Sequence, residues 1–159
     1  MTSHARSTRL ADFLPYLLSV TSNAVSSRVA EAYRARFGLR IAEWRVMAVL
    51  GDAGAQTQRD LTTATLMDKV AVNRACKELE DRGLAARTAN QRDGRSHHLE
   101  LTAEGREMHA RIMPLAIEIE RKLFEGFSDA ERETFGRLLA NVRAAAGDFD
   151  SEGLEGGVG

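Results

Sequence analysis

The sequence lacks the features that mark secreted, membrane-bound and disulfide-stabilised proteins. A single cysteine among 159 residues excludes an internal disulfide framework and favours a reducing compartment. No apolar run approaches the roughly 18 residues that a membrane span requires. The N-terminus also lacks the apolar segment and small-residue cleavage site of a signal peptide. We therefore predict a cytoplasmic protein without a membrane partner.

The sequence also lacks a surplus of charge of either sign, since its net charge at pH 7 is −1. The acids are unevenly placed, because residues 148–159 hold four acids and no base. Without that segment, 22 cations face 19 acids and the net charge is +3. A surface for a polyanion such as nucleic acid must therefore be local. The same segment is rich in glycine, and we expect it to be disordered.

Apolar residues recur at helical spacing through most of the chain, and 43% of all residues are apolar. A long helix is predicted over residues 10–37, with Pro15 near its start and Gly38 at its end. A second helix is predicted over residues 41–50, where Gly51 and Gly54 follow as helix breakers. The first part of the chain is therefore expected to be helical.

Two capping signals mark the middle of the chain. Thr57 followed by Asp60 resembles a capping box, with Asp in place of the usual Glu, and predicts a short helix. Asp68 is a good N-cap for a further helix, which Gly83 ends. Two short helices joined by a tight turn are typical of a helix-turn-helix.

The pattern changes to short extended segments after Gly83. LAARTAN (84–90) and SHHLELT (96–102) are predicted strands, and QRDG between them is a turn signal. These segments predict a two-stranded hairpin with a polar tip.

Helical signals return after the hairpin. Thr102 can cap a helix that runs toward Phe124, and Ser128 with Glu131 forms a clear capping box for a last helix. A helix-turn-helix followed by a hairpin is a winged helix-turn-helix. We therefore predict a mainly α fold with a small β-hairpin, in which long helices flank a winged helix-turn-helix domain.

The predicted helix after Asp68 has two distinct faces. At 100° per residue, one stripe is apolar and must pack on a core, namely Val72, Ala75, Cys76 and Leu79. The opposite face combines a valine with amide and basic side chains, namely Val70, Asn73, Arg74 and Lys77. Arginine can bond guanine at two points, asparagine can do the same with adenine, and a small apolar side chain can contact a thymine methyl. For a lone helix a solvated face is the alternative, but this context favours a DNA-reading surface.

The hairpin tip carries a second cationic signal. Arg92 and Arg95 flank Asp93 and Gly94. A cation on such a tip can enter the narrow minor groove of DNA, where the potential is most negative. Asp93 can pair with Arg95 and hold it extended. An ordinary polar turn is the alternative for this tip on its own.

Five segments of the chain also carry a family resemblance. They are IAEWRVMAVL (41–50), TQRDL (57–61), MDKVAVNRACKELEDRGLAAR (67–87), RDGRSHHLELTAEG (92–105) and SDAERETF (128–135). In this order and near this spacing they resemble the MarR family, the multiple-antibiotic-resistance type of transcriptional regulators. The resemblance covers roughly residues 10–146. Departures from the family pattern include Asn73, where Ser or Thr is common, and Gly94, where Arg is common.

The resemblance implies a homodimeric DNA-binding transcriptional regulator, usually a repressor, with a pseudo-palindromic double-stranded operator. The implied DNA contacts are Lys69, Val70, Ala71, Asn73, Arg74 and Lys77 in the recognition helix, Arg92, Asp93, Arg95 and Ser96 in the wing, and Thr57 and Gln58 at phosphates. The implied dimer-interface residues are Leu14, Leu17, Ile117, Leu123, Phe127, Phe135, Leu138 and Leu139. The implied division is a dimerisation helix (1–40), a winged helix-turn-helix (41–101), C-terminal dimerisation helices (102–147) and the acidic tail (148–159).

Some members of the family bind phenolic or aromatic acids between the dimer helices and the DNA-binding lobe. Relief of repression by a small effector of this class is therefore expected. The residues that would line such a pocket are Tyr16, Val20, Trp44, Arg45, Met47 and Met113, and each is alternatively an ordinary core residue.

Two other functions stay open at the level of sequence. The weak net charge allows a winged-helix protein-interaction module that does not bind DNA. Cys76 allows a redox-sensing regulator, although its place on the apolar stripe favours a structural cysteine. His97 and His98 are adjacent, so they point to opposite faces of a strand and cannot chelate together. We predict no metal, no cofactor and, without a catalytic constellation, no enzyme.

Overall fold

The computed structural model describes residues 9–89 and 97–148. The chain divides into two compact units, residues 1–117 and residues 118–159. The predicted wing residues Arg92, Asp93, Arg95 and Ser96 lie outside the described residues, as does the tail from residue 149 onward.

The fold is mainly helical with a small antiparallel sheet, which confirms the predicted fold class. After a 3₁₀ turn over Leu10–Asp12, the elements in chain order are α1 (Leu14–Phe37), α2 (Ile41–Ala53), β1 (Gln56–Thr57), α3 (Gln58–Thr65), α4 (Lys69–Asp81), β2 (Ala85–Ala89), β3 (His97–Leu101), α5 (Ala103–Leu123) and α6 (Asp129–Gly147).

Local capping chemistry begins the two short helices where the sequence predicts it. The Thr57 hydroxyl accepts from the backbone N–H of Asp60, and the Asp60 carboxylate accepts from the Thr57 N–H. Asp68 accepts from the N–H of Ala71 at 2.8 Å and begins α4. Each cap satisfies backbone donors that have no partner inside the helix, a contribution of roughly 1 kcal/mol. The starts of α3 and α4 are therefore fixed by their own sequences.

The end of α4 is a Schellman motif at Gly83, as predicted. Gly83 has φ +72°, a conformation that favours glycine. Its N–H donates to the Glu80 carbonyl, and the N–H of Leu84 donates to the Leu79 carbonyl, both at 2.9 Å. These bonds stop the helix at the point where the chain turns into β2.

The predicted break in α2 at Gly51 is wrong. The helix continues to Ala53 and ends at Gly54, which has φ +78°. A Cβ on Gly51 would lie 2.5 Å from Nε2 of His109 on α5. Glycine at this position therefore permits a close approach of α2 and α5, and the helix tolerates it.

The sheet has three strands, with the order β1-β3-β2, rather than the predicted two. The additional strand β1 pairs antiparallel with β3, Gln56 with Leu99 and Thr57 with His98. A two-residue strand is too short to show an alternating pattern in the sequence. Because β1 leads directly into α3, this pairing ties the start of α3 to the hairpin.

Helices α2, α3, α4 and α5 share the core of the first unit. Its fully buried large side chains are Leu39, Val46, Met47, Leu61, Val72, Cys76, Leu79 and Ile112. Burial of one such side chain stabilises a fold by roughly 1.5–3 kcal/mol. This core therefore holds α3 and α4 at a fixed angle on α2.

The second unit contains the end of α5 and all of α6. The predicted capping box of Ser128 and Glu131 begins α6. The Phe124 ring lies 5.5 Å from the Phe127 ring and 5.7 Å from the Phe135 ring, measured between centroids.

Among the described residues, no helix combines the length and apolar character that a bilayer crossing requires.

Candidate nucleic-acid interface

A three-residue turn joins α3 to α4. Leu66 ends α3 in the left-handed conformation, with φ +54°, and its N–H donates to the Thr62 carbonyl at 3.0 Å. The N–H of Met67 then donates to the Thr65 hydroxyl. A leucine in this conformation costs roughly 1–2 kcal/mol, so the packing on either side must hold it there. The turn gives the two helices the helix-turn-helix arrangement predicted from the sequence.

The apolar stripe of α4 is buried, as predicted from its spacing. Val72, Cys76 and Leu79 have no exposed surface, and Ala75 is 3% exposed. These side chains anchor α4 to the core along its whole length. The opposite side of the helix is therefore presented outward as a rigid surface.

The outward surface of α4 carries the residue types that can read DNA. Val70 is 67% exposed. Asn73, Arg74, Lys69 and Lys77 are exposed beside it, whereas Ala71 is half-buried. The α4 reading face, defined as Val70, Asn73, Arg74 and Lys77, combines an apolar contact, an amide and two cations on a fixed helix. That combination suits base edges and phosphates.

A hydrogen bond links the two helices across this surface. The Nε2 amide of Gln58, the first residue of α3, donates to Oδ1 of Asn73 at 3.1 Å. The sequence predicted separate contacts for these residues, a phosphate for Gln58 and a base for Asn73. No sequence signal could reveal the bond, because the residues are 15 positions apart and meet only through the helix-helix packing.

The far end of α4 is attached to α1 through a residue that the sequence did not single out. The Arg82 guanidinium donates to the carbonyls of Phe37 and Gly38 at 3.0 and 3.1 Å. These carbonyls lie at the C-terminus of α1, where a cation is also favoured by the helix dipole. The capped start and this attachment restrain α4 at both ends.

The hairpin leaves the core beside α4. β2 pairs antiparallel with β3 from Ala85–Leu101 out to Ala89–His97, next to the segment outside the described range. Arg87 on β2 forms an ion pair with Glu80 on α4. The base of the predicted wing is therefore joined to α4.

Cys76 lies on the buried stripe and not at the surface. It has no exposed area, and burial raises the pKa of its thiol to about 11. Arg87 nearby lowers the pKa and Glu80 raises it, both less than burial does. A thiolate is the reactive form, so a thiol of this kind is inert at neutral pH. The geometry favours a structural cysteine over a redox sensor.

We expect a dithionitrobenzoate reagent at about pH 8 to modify Cys76 at least a hundredfold more slowly in the native protein than in denaturant. That factor follows because burial raises the pKa of the Cys76 thiol to about 11 and leaves little thiolate at this pH, and steric protection adds to it. Equal rates in the two states would contradict the buried placement and restore the redox hypothesis.

The predicted effector residues do not all reach a surface. Met47 is fully buried in the core of the first unit. Trp44 is half-buried between two rings, 5.2 Å from Tyr33 and 5.7 Å from His109. Tyr33 and His109 were missed by the sequence, because a lone aromatic at helical spacing looks like any core residue. The other four predicted positions, Tyr16, Val20, Arg45 and Met113, are exposed or half-buried.

Comparison with known proteins agrees with this geometry. Residues 37–96 match the family model described as MarR family. The chain is 28% identical over 103 residues to the uncharacterised HTH-type transcriptional regulator YwoH of Bacillus subtilis (strain 168), covering 65% of this chain and 74% of that protein.

Solved structures share the fold over most of the chain. A MarR/EmrR family transcriptional regulator from Acinetobacter sp. ADP1 aligns with a TM-score of 0.83 and 26% identity, covering 89% of this chain and 99% of that one. BpsR of Bordetella bronchiseptica, whose DNA binding is regulated by 6-hydroxynicotinic acid, aligns with a TM-score of 0.78 and 25% identity, covering 85% and 96% of the two chains.

Proposed function

This chain belongs to the MarR family of transcriptional regulators, and from that premise we propose that it is a homodimeric repressor of a pseudo-palindromic DNA operator. In this proposal the two copies of α4 enter successive major grooves, about one helical turn apart. The wing residues Arg92, Asp93, Arg95 and Ser96 reach the flanking minor grooves, and Thr57 contacts a phosphate.

The observation that carries the proposal is the α4 reading face. A helix whose inner stripe is fully buried presents an exposed valine, an amide and two cations on its outer side. Val70 on this rigid helix is accessible to a partner. In the proposed complex Val70 contacts a thymine methyl, and Asn73 and Arg74 form hydrogen bonds with base edges.

Dimerisation is supported by the distribution of exposed apolar side chains. Apart from Leu66 and Val70, every large apolar residue exposed in the described parts of the chain lies between Leu10 and Val20 or between Ile117 and Val142. All eight predicted interface residues, from Leu14 to Leu139, are among them. Exposed apolar clusters in each unit mark interaction sites, and a second copy of the chain is the partner we propose.

Relief of repression by a small aromatic acid is part of the proposal. The related BpsR responds to 6-hydroxynicotinic acid. Here the exposed Arg45 guanidinium can pair with a carboxylate, and the half-buried Trp44 and Met113 can contact an aromatic ring. We place the protein in the cytoplasm, where a DNA-binding regulator and such an effector meet.

DNA binding is tested with a randomised duplex library of roughly 30 base pairs, long enough for two half-sites. We expect the protein to enrich one pseudo-palindromic sequence and to lose affinity for it steeply between about 50 and 200 mM salt, measured by fluorescence anisotropy. Arg74→Ala should weaken binding to the enriched duplex by about 1–3 kcal/mol per half-site, because it removes a base or phosphate contact.

Arg137→Ala is the matched control, since it removes the same charge from an exposed position on α6. It should bind the enriched duplex like the parent protein. Enrichment of no sequence, with equally weak binding to every duplex, would contradict the proposal and favour a winged-helix module that binds a protein partner.

A further inference from the structure

We propose that Gln58 is a positioning residue for Asn73 and that their hydrogen bond sets the base preference of the α4 reading face. The inference rests on the proposed function, in which α4 reads DNA bases. It assigns Gln58 a role different from the phosphate contact that the family resemblance implies. The carrying observation is the bond of 3.1 Å from Gln58 Nε2 to Asn73 Oδ1.

The backbone of Gln58 is held in place by contacts that do not involve its side chain. It is the first residue of α3, directly after the N-cap Thr57, whose capping box with Asp60 closes the first turn. Its carbonyl accepts from the Thr62 hydroxyl at 2.9 Å. β1 holds the preceding residues to the sheet through Gln56 and Leu99. The amide of Gln58 therefore extends from a rigid base toward α4.

Asn73 lies on an equally rigid element. Val72 on one side of it is fully buried, and Asp68 caps the helix one turn earlier. An exposed asparagine on such a helix still has freedom about its terminal torsion, because the amide oxygen and nitrogen can exchange places by rotation. In the structure Gln58 presents its Nε2 to Asn73, and this arrangement holds the oxygen of Asn73 toward α3, since only the oxygen can accept from that group.

The fixed orientation is the one that adenine requires. Asparagine reads adenine by accepting from N6 with its oxygen and donating to N7 with its nitrogen. The Gln58 bond uses one of the two lone pairs on Oδ1 and neither hydrogen on Nδ2. Asn73 can therefore keep the bond to Gln58 while it makes both bonds to the base. Orientation before binding avoids the ordering cost at the moment of contact.

The positioning role and the phosphate role predict different losses. A phosphate contact contributes to every DNA sequence, so its removal weakens all duplexes by the same factor. A positioning bond acts only through Asn73, so its removal reduces the preference for one base pair per half-site. In a variant without the Asn73 amide, the positioning role has nothing left to act on.

The experiment first uses Asn73→Ala to find the base pair of the enriched sequence at which the variant loses its preference. The duplexes compared are the enriched sequence and three derivatives that carry each of the other base pairs at that position. Gln58→Met keeps the length of the side chain and removes both amide donors. We expect it to reduce discrimination at that position about three- to tenfold, with little loss on the three derivatives. In the Asn73→Ala background, Gln58→Met should reduce discrimination no further.

Gln56→Met is the matched control. Gln56 lies two residues earlier and donates only to the backbone carbonyls of Ala53 and Ala55. Its substitution removes an amide from the same strand-to-helix junction without touching Asn73. Discrimination should stay at the parent value.

Gln58→Glu gives a second test that holds even if Gln58→Met fails to fold. A carboxylate can only accept, so Asn73 must turn its Nδ2 toward residue 58. The base preference at that position should then change, beyond the general loss of affinity that a negative charge near phosphates causes.

The outcomes separate the inference from the function on which it rests. Equal loss by Gln58→Met on all four duplexes, in both Asn73 backgrounds, would assign Gln58 to a phosphate and overturn the inference. An unchanged base preference in both Gln58 variants would overturn it as well. If the parent protein enriches no sequence, the proposed function fails first, and the two failures are distinguishable.

Discussion

Gly105→Ala is expected to destabilise the protein by about 3–5 kcal/mol, much of the stability of an ordinary domain. Gly105 is buried in the first turn of α5. A Cβ at this position would fall well inside the contact radius of the Leu84 carbonyl oxygen and 2.9 Å from the Leu84 carbonyl carbon. A backbone atom cannot rotate away as a side chain can, so α5 or the start of β2 must move.

Movement there breaks a connected set of hydrogen bonds. The N–H of Thr102 donates to the same Leu84 carbonyl at 3.1 Å. The Thr102 hydroxyl donates to the Gly83 carbonyl at 2.7 Å and accepts from the Gly105 N–H at 3.0 Å. Each bond contributes roughly 0.5–1.5 kcal/mol, and an unpaired buried partner costs more. The junction between α4, the hairpin and α5 depends on this contact.

Denaturant unfolding followed by circular dichroism measures the effect. Gly136→Ala is the control, because nothing lies within 4 Å of a Cβ at that helical position in α6. It should leave the protein unchanged or stabilise it by about 0.5–1 kcal/mol, since alanine has less freedom to lose in the unfolded chain. A loss below about 1 kcal/mol in Gly105→Ala would show that the junction can relax.

Leu138→Glu is expected to convert the proposed dimer into monomers. Leu138 is 48% exposed in the single chain and lies on one stripe of α6 with Phe135, Leu139 and Val142, which are also exposed. In a two-fold dimer each substitution occurs twice at the interface. Loss of roughly 2 kcal/mol of apolar burial per copy amounts to about a thousandfold in the dissociation constant. An unpaired carboxylate in the interface increases the effect.

Light scattering after size-exclusion chromatography measures the mass directly. Ala140→Glu introduces the same charge at an exposed position about 150° around α6 from the centre of the apolar stripe. It should remain dimeric. Leu138→Glu should also bind a duplex with two half-sites more weakly than the parent protein, because its two α4 reading faces are no longer joined in one dimer. A Leu138→Glu dimer with parent affinity would place the interface on another surface.

Several features of the fold could be predicted because their causes are local. The caps at Thr57, Asp68 and Ser128 each depend on a side chain three residues from the N–H that it accepts from. The Schellman motif at Gly83 spans the six residues from Leu79 to Leu84. The sequence also predicted the buried stripe of α4 around Cys76, because a helix repeats every 3.6 residues wherever it packs.

The features that the sequence missed join residues far apart in the chain. β1 exists because Gln56 and Thr57 meet β3, about 40 positions later. Gly51 lies inside α2 at the point where His109 of α5 approaches the helix closely. The complete burial of Met47 is likewise a product of the whole core, and its spacing in α2 does not reveal it.

The candidate site divides in the same way. The sequence by itself determined which side chains the α4 reading face contains and where the helix that carries them begins and ends, because periodicity and capping act within a few residues. Only the tertiary structure decided that Gln58 meets Asn73 and that Arg82 attaches α4 to α1. Those contacts depend on the angles at which helices pack, and the angles are set by the whole core at once.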